Sequence, residues 1–291
     1  MSGVQPLAQH WQVNGLQLAG LSWGEPTGRP LLALHGWLDN AASFSLLAPL
    51  LVGYHVIALD LTGHGLSDRR SEDATYQIWD DLPQILGVVD ALGWDSFSLL
   101  GHSRGAIISS LLASTFPERV QRLVLLDAVM PQSVAEEEYT TQMRKFVLDK
   151  QRLLRRDTRV FESVEAAVAT RVERGLSHSA ARLLVERNLR ACSGGFTWTT
   201  DQRLRGASAV KLTAGQNQAV LEALDMPTLL LMAQEGSGRH PEVAANAKRY
   251  IRNLTVEKID GDHHFHMESC VSTVAQRIVD FLQGREGHET T

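Results

Sequence analysis

The chain has 291 residues, 44% of them hydrophobic, enough to bury a substantial core in one domain carrying a large insertion. Its formal charge of -5 comes from acidic and basic residues interspersed along the chain, which excludes a continuous cationic face for nucleic acid and leaves a small molecule as the expected partner. The only cysteines, Cys192 and Cys270, are too few for a disulfide framework and lack zinc or redox spacing.

From Met1 to Gln12 there is no basic start followed by an apolar run, and no later stretch is long enough to span a bilayer. The expectation is a cytoplasmic protein, a monomer or homodimer, without membrane insertion. Residues 8–23 read as two short strands turning at Asn14-Gly15, the antiparallel start of a mixed sheet. Leu31–Leu34, His55–Leu59, Phe97–Leu100, Leu123–Leu126 and Thr228–Leu231 are almost unbroken apolar runs, as strands of a parallel sheet covered on both faces require. Helical patterns over Tyr76–Leu92 and Gly105–Phe116 lie between them. A last strand near Leu254–Ile259 precedes an amphipathic helix over Val271–Leu282, and the alternation predicts a wound α/β domain.

Roughly a hundred residues between Val129 and Leu224 separate two core strands, far more than an ordinary connection. The expected division is a core of residues 1–128 and 225–291 with an insertion at 129–224. Helical patterns at 134–156, 162–174 and 177–191, followed by Gly194-Gly195 and the aromatic run Phe196–Thr200, predict a mostly helical lid over the strand ends, where open α/β sheets bind ligands. Within it Arg144, Lys145, Lys150, Arg152, Arg155 and Arg156 alternate with Glu136, Glu137 and Asp149, the pattern of a solvated face.

Gly101-His102-Ser103-Arg104-Gly105 follows an apolar strand and opens a small-residue helix, the strand-turn-helix setting of a G-x-S-x-G nucleophile elbow. Ser103 is the expected nucleophile. His35-Gly36-Trp37 ends an earlier strand, so the backbone N–H groups of Trp37 and Arg104 are the expected oxyanion donors. The turn Asp60–Ser67, with Gly63 and Gly65, is assigned structure rather than catalysis. Asp260-Gly261-Asp262-His263-His264-Phe265-His266 follows the last strand, and His263 is the expected base. His263 and His266 have ligand-like spacing, but no complete ligand set recurs elsewhere, so no metal and no cofactor are expected. For the acid, Asp127 ends the strand after the nucleophile's helix, while the loop Ala233–Gly238 offers only Glu235 as a rival. His35, Asp39, His102 and Trp198 are candidate pocket residues.

These strings resemble the α/β-hydrolase superfamily and, within it, the serine hydrolase-like proteins. The resemblance rests on His35-Gly36-Trp37-Leu38-Asp39-Asn40, Gly63-His64-Gly65-Leu66-Ser67, Gly101-His102-Ser103, Leu125-Leu126-Asp127, Asp201-Gln202-Arg203-Leu204 and Gly261-x-His263, spread over nearly the whole chain. It implies a mostly parallel eight-stranded sheet flanked by helices, a helical cap inserted after strand 6, and the acid after that strand, which supports Asp127. Arg104 departs from the family, which usually has a hydrophobic residue there. Haloalkane dehalogenases and epoxide hydrolases of this fold need an aspartate where Ser103 stands. The expected activity is carboxylic-ester hydrolysis through an acyl-serine. Thioester or carbon–carbon bond hydrolysis by the same groups, or ligand binding with little turnover, are the alternatives.

Overall fold

In the computed structural model, which describes residues 5–235 and 241–285, β1 (Leu7–Val13) and β2 (Leu16–Trp23) form a hairpin closed by Asn14 and Gly15. Both turn residues take left-handed backbone, φ 49° and 80°, as a two-residue turn matched to strand twist needs. The chain continues through β3 (Arg29–Leu34), β4 (Tyr54–Leu59), α1 (Leu82–Ala91), β5 (Phe97–His102), α2 (Arg104–Thr115) and β6 (Val120–Leu126). The helix read from Tyr76 begins only at Leu82. Asp80 accepts hydrogen bonds from Gln77 N (2.7 Å) and the Thr75 hydroxyl (2.6 Å), holding this segment in turns, and Pro83 disfavours helix before it.

The insertion carries α3 (Tyr139–Leu154), β7 (Val160–Phe161), α4 (Val164–Val172), α5 (His178–Glu186), β8 (Leu189–Cys192), β9 (Gly195–Trp198) and α6 (Ala214–Glu222). Ser163 and Ser177 cap α4 and α5, and Thr213 with Gln216 forms a capping box on α6. The helix expected over 177–191 stops at Glu186, and the chain turns into a small sheet of order β7-β9-β8. Gly195 permits this: a β-carbon there would lie 2.1 Å from Phe161 O. A separate apolar cluster of Phe161, Val168, Leu176, Leu184 and Val185 holds these pieces together and reaches Met267 of the core.

After the insertion come β10 (Thr228–Ala233), α7 (Pro241–Tyr250), β11 (Leu254–Ile259) and α8 (Val271–Leu282). The main sheet has eight strands in the order β1-β2-β4-β3-β5-β6-β10-β11, with β2 alone running against its neighbours. Successive side chains of β3 go to opposite faces, Leu32 and Leu34 into the cluster with Ile85 and Ile108, Leu31 and Ala33 into the cluster with Phe44 and Ile278. The sheet is thereby sandwiched between helices, and its strand ends form one rim. Among the described residues no helix is long and apolar enough to cross a membrane.

Helix α2 starts hard against the sheet, where a β-carbon on Gly105 would lie 2.0 Å from Leu34 O. Gly215 in α6 meets nothing within 4 Å. Gly105→Ala should therefore cost at least about 2 kcal/mol and lower Tm by about 5 °C or more. Gly215→Ala should leave Tm unchanged or raise it slightly, by up to about 1 kcal/mol of helix preference. Thermal unfolding of the two variants checks the packing, and equal shifts would contradict it.

Candidate active site

Between the end of β5 at His102 and the start of α2 at Arg104, Ser103 stands alone with φ 51° and ψ -115°. A β-carbon makes this backbone unfavourable by about 1–3 kcal/mol, so the surroundings must impose it. They do so from both sides: Ser103 N donates to Leu126 O (3.0 Å), and α2 leaves along the path that Gly105 keeps open. The next residue on β6, Asp127, is left-handed too, φ 54°, with its N–H on Leu231 O of β10 (2.8 Å). Three adjacent strands thus bring the serine and the aspartate to one rim.

The Asp127 carboxylate is held by two donors. Ala233 N donates to Oδ1 (2.8 Å), and His263 Nδ1 donates to Oδ2 (2.6 Å). His263 arrives on the loop after β11, turned by Gly261 at φ 108°. Its ring stands 37% exposed, whereas the Asp127 side chain is buried. Neither Ser103 Oγ nor His263 Nε2 hydrogen-bonds a described residue, so both are uncommitted at the rim. The rival acid is elsewhere: Glu235 is exposed, and its N–H donates to Gly261 O (3.1 Å). The rest of that loop, Gly236–Gly238, lies outside the described residues.

The turn after β3 carries a further left-handed residue, Leu38 at φ 62°. Neither Trp37 N–H nor Arg104 N–H has a backbone acceptor among the described residues. The Trp37 indole N–H donates to Leu204 O of the insertion (2.8 Å). A cavity of about 390 Å³ opens beside Ser103, walled by Trp37, Ile78, Ile107 and Phe146, with Tyr76 and Arg104 among its polar residues. Of these walls only Trp37 and Arg104 were singled out from the sequence. Ile107 could have been, since it stands one helical turn after the serine.

The other pocket candidates take different places. His35, Asp39 and His102 are almost wholly buried behind the rim and do not wall this cavity, and Trp198 lines a second cavity in the insertion. His35 braces two strand ends, its Nδ1 donating to Gly36 O (2.8 Å) and its Nε2 accepting from Leu61 N (3.0 Å). His102 Nε2 donates to His263 O (2.8 Å), which fixes the backbone of His263 from beneath. Asp39 receives His264 Nε2 (3.3 Å) and Arg171 Nη1 (3.4 Å), and Arg171 Nη2 donates to Leu38 O. Asp39, His102 and His264 bring possible metal-ligand atoms within 4.8 Å of one another. Arg171 already neutralises that carboxylate, so the group is built as an ion-pair network.

The insertion is fastened to the core around this rim. Asp60, buried at the end of β4, accepts from Ala41 N (2.7 Å) and Leu66 N (2.9 Å) and takes Arg187 Nη2 of the insertion at 2.9 Å. Asn40 Nδ2 donates to Leu184 O (2.8 Å), and the Tyr76 hydroxyl donates to Asp201 Oδ2 (2.9 Å). These clasps use residues from the strings His35–Asn40 and Asp201–Leu204, a role that the sequence did not reveal. The basic stretch is not wholly a solvated face: Lys150 lines the Ser103 cavity and Arg156 the second one.

Burial dominates the histidines, holding His35, His55, His64, His102 and His266 below their ordinary pKa and therefore neutral. His264 is the exception. Burial would lower it, but the hydrogen bond and charge of Asp39 raise it, while Asp39, despite burial, is held far below the usual carboxylate range by the same pair and Arg171. Below about pH 6.5 the unfolded chain protonates histidines that the native state keeps neutral, so five groups lose stability on acidification. The His264 contribution runs the other way, present below that pH and lost as pH rises through its raised value. The five outnumber the one. Tm should fall as pH drops from 7.5 to 5.0, and a flat or rising Tm over that interval would contradict the neutral cluster.

Residues 29–269 match the family model described as the alpha/beta hydrolase fold. The chain is 33% identical to a serine hydrolase-like protein of Danio rerio, over 94% of this chain and 87% of that one. It is 29% identical to a serine hydrolase-like protein of Dictyostelium discoideum, over 92% and 79%. A crystal structure of a hypothetical protein from Pseudomonas aeruginosa PAO1, 36% identical, matches it with a TM-score of 0.87 over 97% of this chain and 99% of that one.

Proposed function

Since this chain belongs to the α/β-hydrolase family and groups within it with the serine hydrolase-like proteins, we propose that it cleaves carboxylic esters through an acyl-Ser103 intermediate. Ser103 Oγ attacks the ester carbonyl and its proton passes to His263 Nε2. Asp127 keeps the other ring proton on Nδ1 and stabilises the imidazolium as it forms. The developing oxyanion is received by the Trp37 and Arg104 N–H groups, each worth about two to three powers of ten in rate. His263 then protonates the departing alkoxide. Water, deprotonated by the same imidazole, releases the acid and restores Ser103.

The observation that carries this reading is the 2.6 Å Asp127–His263 contact on the rim that presents a strained, uncommitted Ser103. An adjacent cavity of about 390 Å³ suits an ester of small to medium size. Residues 129–224 act as the cap that shapes it, and the expected cytoplasmic setting fits a soluble substrate.

A fluorophosphonate probe should label the native protein and leave Ser103→Ala unlabelled. On p-nitrophenyl acetate, Ser103→Ala should lose about four or more powers of ten in kcat. Equal labelling of the two proteins would overturn the nucleophile. Asp127→Asn should reduce kcat by roughly four powers of ten, and Glu235→Gln should change it less than about threefold. The opposite ranking would transfer the acid's role to Glu235.

A further inference from the structure

The short turn Gln202–Arg205 separates two cavities: Arg203 and Leu204 face the one beside Ser103, while Gln202 and Arg205 face a second of about 380 Å³, open to solvent and lined by the insertion and Leu38. Arg156, Arg159, Arg171, Arg174 and Arg205 line this second cavity, with Asp157 as its sole carboxylate among the described residues. That balance is opposite to the chain's net charge.

Most of these guanidinium groups lack a counter-ion. Among the described residues, Arg156, Arg174 and Arg205 have no carboxylate within ion-pair distance, and Asp157 pairs with none of the five. Arg171 is engaged with Asp39, and Arg159 lies 4.7 Å from the centre of the Phe161 ring. Burial, and after it the charges of Arg174, Arg171 and Arg156, push the Arg205 pKa down, as expected of cations crowded in a concave wall. Such crowding opposes folding unless something repays it. One carboxylate would neutralise one of them. Two linked phosphates present several oxygens and more than two charges, and the planar forks of arginines match phosphate oxygens two bonds at a time. The volume lies in the range of small-molecule sites.

We propose that this cavity binds the phosphate groups of a small polyphosphorylated ligand. Its occupant is coupled to the rim, because Arg171, a wall of the cavity, also donates to Leu38 O beside Trp37 and pairs with Asp39. The phosphates belong either to the substrate itself or to a separate regulator.

Calorimetric titration of the full chain with inorganic pyrophosphate should show saturable one-to-one binding at or below about 1 mM in 50 mM salt, weakened about tenfold or more in 500 mM salt. Arg205→Gln and Arg174→Gln should each raise Kd about tenfold or more. With one repelling cation removed, each variant without ligand should unfold at the native Tm or above it, which separates lost binding from lost folding. No binding of pyrophosphate to the native protein, or equal Kd in all three proteins, would overturn the site. Two kinetic arms identify the source of the phosphates. A pyrophosphate-induced rise in KM for acetyl coenzyme A at constant kcat assigns them to the substrate, and a changed kcat on p-nitrophenyl acetate assigns them to a regulator. Binding is read without turnover, so its failure is distinct from failure of the Ser103 chemistry.

Discussion

The left-handed backbone at Ser103 is the constraint on which the candidate site depends. No serine adopts it for its own sake, and here it is imposed by a hydrogen bond to the end of β6 on one side and by the crowding of α2 on β3 on the other. The same device recurs one strand over, where Asp127 is left-handed and bonded to the end of β10. At both places a strand pins its neighbour's first loop residue, so the order of strands β5, β6 and β10 sets the order of Ser103 and Asp127 along the rim. Residues far apart in sequence are placed by backbone bonds before any side chain interacts.

This explains which parts were legible in the sequence. The elbow could be read because its glycines are steric necessities that leave a fixed spacing, and the core strands because burial on both faces demands unbroken apolar runs. As the candidate acid, Asp127 was partly legible from its place at a strand end, but what distinguishes it from the exposed Glu235 is its hydrogen bond with His263, a contact between distant segments that spacing does not encode. His35, Asp39 and His102 looked like pocket residues because they are polar and lie at or just after the ends of β3 and β5. Whether a polar side chain faces a cavity or braces the wall behind it depends on its direction, which sequence spacing does not encode. The hairpin β8–β9 was overlooked for a related reason: Gly195 marks a close approach to Phe161, a partner more than thirty residues away.

Charge in this protein is organised locally. Acidic residues prevail over the chain, yet the insertion gathers arginines around one hollow, while beneath the rim burial keeps imidazoles neutral and the buried carboxylate of Asp39 is matched by His264 and Arg171. Arg171 belongs to both settings. It stands between a cation-rich wall and the turn that carries Trp37, so the electrostatics of the insertion and of the rim are not independent.

The buried pairing of Asp60 with Arg187 also bears on how the insertion could change over time. Substituting one partner alone strands an ion in a dry environment, a loss of about 3–5 kcal/mol. Asn40 and Tyr76 make comparable commitments from the core side. Exchange of this segment between homologues is therefore not a matter of cutting at two loops: a graft would have to bring residues matched to the host's Asp60, Asn40 and Tyr76. Diversification should proceed by altering hollows within an inherited canopy, and recombinants made by swapping whole canopies should inherit instability along with any new specificity.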